Sequence, residues 1–141
     1  MSNVSRHMSK TYYDPDVVVD PQKWLALPEA ERLRLVQSYH VASRIKVPRM
    51  KAHAAMHATV ENQVASGFGP STRALVRLQE EGLSRHEAVH AIAYVIAQFI
   101  FELNQGQSSE EQTTFQARMN AAIDKLHAAQ WLSLQGGEDV G

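Results

Sequence analysis

Four of the seven histidines in this chain fall in two helical pairs. His53-Ala54-Ala55-Met56-His57 is followed one turn later by Glu61, and His86-Glu87-Ala88-Val89-His90 comes further along the chain. A spacing of four residues puts both imidazoles of a pair on one helix face, about 6 Å apart, within reach of a single ion. The second pair reads H-E-x-x-H, in which two histidines hold zinc and the glutamate activates a bound water. Neutral imidazole suits zinc, iron, copper or nickel, and a carboxylate completes a protein site that leaves one position for water. If the two helices pack face to face, His53, His57, Glu61, His86 and His90 make a metal site, with zinc the first expectation and iron the second. Five donors exceed the need of one catalytic zinc, so the surplus implies either two ions or outer partners. His40, on the preceding helix, is a sixth candidate.

The competing reading is that these are core histidines satisfied by hydrogen bonds. Each buried imidazole would then need its own partner, because an unpaired buried polar group is costly. Two pairs on apolar helices weigh toward a metal. Glu87 carries two readings: the general base of a hydrolase, and the third helical residue of a capping box opened by Ser84. The capping role needs nothing else from the fold and is the better supported. A zinc peptidase would also want a third ligand and an edge strand for substrate. Glu102, twelve residues beyond His90, would lie about 18 Å along a continuous helix. No strand is expected.

The elements that must position these residues are helical throughout. Asp20-Pro21 is a helix start, followed by a short turn with Trp24, Leu25 and Leu27. Pro28 opens a longer helix to about Ser43, and Val47-Pro48 breaks it. Arg49 to Ser66 carries the stripe His53, Met56, His57, Val60 and Val64, which turns the histidines inward. After the loop Gly67-Phe68-Gly69-Pro70, Ser71 is read as the cap of a helix that stops at Gly82. Ser84 caps the next helix, to about Asn104, whose Val89, Ile92, Val95, Ile96, Phe99, Ile100 and Leu103 mark it as central and buried. Ser108-Ser109-Glu110-Glu111 looks like a capping box for a last helix with Phe115, Met119, Ala122 and Leu126 inward. No useful stretch alternates with period two. The expectation is an all-α protein, a single compact bundle of five to six helices over residues 20–134. A polar tail or arm (1–19) precedes it and a flexible tail (135–141) follows.

Composition narrows the function. Hydrophobic residues at 44% and charged residues at 21% are ordinary for a globular domain, and 141 residues suit one core. A net charge of -1 argues against nucleic acid as a partner. Arg73, Arg77 and Arg85 flank a turn resembling a helix-turn-helix, but the second helix is too apolar to read base edges. These arginines read instead as a solvated face or as capping and salt-bridge partners. With no cysteine, disulfides and thiolate sites are excluded, so nitrogen and oxygen must hold any metal. The first residues lack the apolar core of a signal peptide, and Ala88 to Leu103 is too short and too interrupted to span a bilayer. The expectation is a cytoplasmic protein with no membrane association. His7 and His127 are read as isolated, water-facing residues, and a homodimer is allowed but not required.

The runs Asp20-Pro21-x-x-Trp24-Leu25-Ala26-Leu27-x-Glu29-x-Glu31-Arg32, Tyr39-His40, His53-x3-His57-x3-Glu61-Asn62-Gln63 and Gly82-Leu83-x-Arg85-His86-Glu87-Ala88-x-His90-Ala91-Ile92 resemble a family of small bacterial proteins, the domain of unknown function 1841. The resemblance covers about Asp20 to Leu103. It implies a compact helical fold and a clustered set at His40, His53, His57, Glu61, Gln63, His86, Glu87 and His90. It implies no substrate. The leading expectation is therefore a small metalloprotein, with metal-assisted hydrolysis of an unidentified small molecule or peptide as its chemistry and Glu87 or Glu61 as base. The alternative is a non-enzymatic helical interaction module, its histidines structural or holding a structural metal.

Overall fold

The computed structural model describes residues 13–42, 50–104 and 111–135, without the side chains at 40–42, 50, 51, 104 and 135. His7, Ser108 and the tail from 136 onward lie outside the described residues, as does the His40 side chain. Asp20 caps the first helix, α1 (Pro21–Ala26), by accepting from the Gln22 and Lys23 amides, and Pro21, which has no N–H, removes a donor that would lack a partner at its start. Then come α2 (Glu29–Ala42), α3 (Met50–Ala65), α4 (Gly69–Glu80), α5 (Arg85–Asn104), α6 (Gln112–Asp124) and α7 (Ala128–Gln135). The protein is all-helical, with seven helices and no strand among the described residues.

Two glycines set the order in space. Gly67 (φ 76°) and Gly82 (φ 108°) adopt the left-handed conformation that ends α3 and α4. In each, an amide three residues past the helix reaches back: Phe68 N–H to the Gln63 carbonyl at 2.8 Å, and Leu83 N–H to the Leu78 carbonyl at 3.1 Å. Short links therefore fold α4 between two helices that also touch each other, and this brings α5 back against α3.

Three expectations need correction. Ser71 does not cap α4, which begins at Gly69 behind Phe68; the Ser71 hydroxyl is buried and donates to Gln63 Oε1 at 2.6 Å. The exposed end of α5 departs from a wholly buried helix, because Ile100, Phe101 and Leu103 face outward. The last helix is broken in two at Lys125–His127. No glycine or proline marks that break, so its cause lies in α4. Arg77 donates to the carbonyls of Ile123 (2.8 Å) and Leu126 (2.9 Å). Glu81 accepts from the Ala128 amide at 2.7 Å and meets His127 Nδ1 at 2.7 Å, so His127 is not isolated. One cation closes the end of α6 and one anion opens α7, which satisfies the groups a break leaves bare.

The core has two parts, and α3 lies between them. Ala54 and Ala58 pack with Tyr13, Trp24, Leu35 and Val36. Val60, with Met56 and Val64 beside it, packs with α4, α5, α6 and α7 around Leu78, Ile92, Ile123 and Trp131. At 100° per residue, His53, His57 and Glu61 fall at the seam between those two faces. Three successive side chains then tie α3 to its neighbours. Glu61 meets Arg85, Asn62 Oδ1 accepts from Trp24 Nε1 and Arg32 Nη1 (both 2.8 Å), and Gln63 accepts from Ser71.

Removing the α4 clamp should loosen the C-terminal helices first. Arg77→Ala is expected to cost about 1.5–3 kcal/mol, the value of hydrogen bonds from a charged donor. Urea unfolding measures it; a midpoint equal to that of the unaltered protein would mean that the clamp does not hold the break.

Candidate metal centre

The two histidine pairs do converge. The ring centres of His53 and His57 are 4.7 Å apart, those of His57 and His90 are 4.5 Å apart, and those of His53 and His90 are 4.8 Å apart. Donor atoms of these three lie within 4.8 Å of one another, and the Nε2 atoms of His53 and His90 are 2.9 Å apart. A tetrahedral zinc with bonds of about 2.0–2.1 Å needs nitrogens about 3.3 Å apart. The trio is thus within small side-chain rotations of a coordinating arrangement. His57 is completely buried, while His53 and His90 are half-buried, so the cluster runs from the interior toward the surface.

His86 stands beside this trio. Its ring centre is 4.8 Å from that of His90 and 5.6 Å from that of His57, and it packs edge-on against Tyr39 at 5.5 Å. It is not part of the convergent donor group. Its backbone N–H donates to Asp16 Oδ1 at 2.9 Å.

Glu61 is also held apart from the trio. It is 1% exposed, and both of its oxygens accept from Arg85: Nη1 to Oε2 at 2.8 Å and Nη2 to Oε1 at 2.9 Å. Tyr13 adds a third bond from its hydroxyl to Oε2 at 2.6 Å. Arg85, itself 6% exposed, donates further to the Pro15 carbonyl at 2.9 Å. Burial works against the Arg85 charge, but its hydrogen bonds and attraction to Glu61 outweigh that and hold it more firmly protonated than usual. Burial also pushes the Tyr13 hydroxyl well above its ordinary range, and the Glu61 charge adds to the shift. To ligate an ion, Glu61 would have to abandon these partners.

Glu87 occupies the third position of α5, where its amide donates to Ser84 Oγ at 3.0 Å. That is the Ser84 half of the expected capping box, the hydroxyl receiving the amide of the third helical residue. Glu87 does not join the donor group, and Glu102 pairs with Arg118 at 2.5 Å. The sequence did not single out Tyr13 and Arg85 as partners of Glu61. The available signal was the buried position of Glu61 itself, since a carboxylate on an inward helix face requires a cation. Comparison with family models, with curated proteins and with solved structures finds no match for the chain.

The Tyr13 shift gives a signed prediction. A hydroxyl whose folded value is raised contributes stability that is complete below the ordinary tyrosine range, about 10, and is lost as pH climbs toward the folded value. Wild-type unfolding free energy should therefore fall above about pH 10 more steeply than that of Tyr13→Phe. The variant should be weaker by about 1–3 kcal/mol near pH 8, since one buried acceptor loses its donor. Parallel alkaline slopes in urea titrations would count against the shift.

Proposed function

We propose that this protein binds a divalent transition metal between α3 and α5, with His53, His57 and His90 as its protein ligands. The observation that carries the reading is the convergence of three imidazole donors from two helices. Three neutral nitrogens favour zinc first and iron second, and they leave one coordination position for water or substrate. Metal-assisted hydrolysis of a small molecule or peptide is the chemistry that such a position supports. Glu61 is a poor base for it, since Arg85 neutralises it, and Glu87 stands outside the convergent donor group. The family resemblance, the compact single bundle and the cytoplasmic address belong to the same proposal. Among the described residues, no helix is long and apolar enough to cross a membrane.

A second reading rests on His86. A fourth ring 4.8 Å from His90 is near enough to close the coordination sphere by rotating inward. The ion would then be structural and the protein an interaction module. A structural ion adds its binding energy to folding, so a chelator should lower the melting temperature by many degrees. A catalytic ion in a preformed core should cost less.

Elemental analysis of tag-free protein purified without added metal tests the proposal. Stoichiometric zinc or iron is expected in the wild type and its loss in His57→Ala/His90→Ala. No metal in either protein, with helicity unchanged and none taken up on titration with zinc, would overturn it.

A further inference from the structure

The buried pair Glu61–Arg85 lies one turn from the proposed ligands on both helices. Glu61 follows His57 by four residues on α3, and Arg85 precedes His90 by five on α5. Its two parallel bonds, 2.8 and 2.9 Å, form a fork that fixes both the separation of the helices and their rotation. The N-terminal arm then locks that fork. Tyr13 donates to Glu61, the Pro15 carbonyl accepts a hydrogen bond from Arg85, and Asp16 accepts one from the His86 amide. The three contacts land on residues four or five positions from His57 or His90.

Such a pair is not the cheapest way to stabilise a core. Well-packed apolar residues in place of a buried ion pair are often neutral or better, whereas a hydrogen-bonded pair imposes a geometry that they do not. A metal site needs just that kind of constraint, because donor atoms misplaced by about an ångström lose most of their value.

We infer that Glu61, Arg85 and the arm Tyr13–Asp16 form a positioning brace for the three-histidine centre, holding α3 and α5 at the spacing the ion requires. The inference rests on the metal reading above. It assigns these residues no contact with the ion.

The test is cobalt(II) titration of the full chain, read by ligand-field absorption and by affinity. The decisive variant is Glu61→Leu/Arg85→Met, which removes the charges together. The expected result is a folded protein, less stable than the wild type because the Tyr13 hydroxyl and the Pro15 carbonyl lose their partners, with cobalt affinity at least tenfold weaker and an altered visible spectrum. Tyr13→Phe and Asp16→Ala provide a second route, because each leaves the ion pair intact and Asp16 is exposed. Each should weaken cobalt binding by about threefold to tenfold while the protein stays helical. Wild-type affinity and spectrum in a folded double variant would overturn the brace alone. So would unchanged binding in both arm variants if the double variant does not fold. A wild type that binds no cobalt, zinc or iron would instead overturn the metal reading, and the brace with it.

Discussion

A carboxylate and a guanidinium buried together constrain everything around them. Glu61 and Arg85 are each almost wholly out of water, and neither charge is tolerable without the other. Their separation is fixed within hydrogen-bond limits, so α3 and α5 cannot slide or rotate independently. Asn62 and Gln63, the next two residues, extend the constraint around the helix, since each successive side chain points about 100° further round. One turn of α3 thus contacts the arm, α1, α2, α4 and α5 through polar side chains of defined geometry. Apolar packing supplies most of the stability on either side, with side chains such as Ile92 and Val36 contributing about 1.5–3 kcal/mol each. The apolar faces of α3 set its rotation coarsely, and the polar turn adds contacts of fixed distance to it.

The histidines inherit this arrangement. They lie at the seam between two apolar clusters, where a helix face changes partners and polar groups are easiest to accommodate. Reaching the seam from α5 depends on two tight turns, at Gly67 and Gly82, which return the chain after α4.

Much of this was legible before any coordinates. The i, i+4 spacing of His53 and His57 put them on an inward face, the Ser84 cap was visible, and most helix boundaries among the described residues from Asp20 to Asn104 followed local rules of capping and periodicity. What failed was non-local. Ser71 looks like a cap until Gln63, on another helix, takes its hydroxyl. The break in the last helix has no glycine or proline, because Arg77 on α4 and Glu81 just past its end supply caps from outside. Glu61 looks like a ligand because it stands one turn beyond His57. Only the packing of α5 reveals that Arg85 reaches it first.

The same distinction bears on the H-E-x-x-H motif. As a peptidase signature it requires His86 and His90 to bind one ion together, with the glutamate between them free to move a proton. Here the convergent group takes His90 from the motif and both of its other members from α3. Glu87 sits at the helix start, its amide on Ser84 Oγ, and His86 leans on Tyr39 with its amide on Asp16. The three residues that match a zinc-peptidase pattern are therefore divided between a helix cap, an arm anchor and a shared cluster. The chemically meaningful unit is the meeting of two helices, held by the ion pair one turn away. A motif read along one strand of sequence cannot contain it.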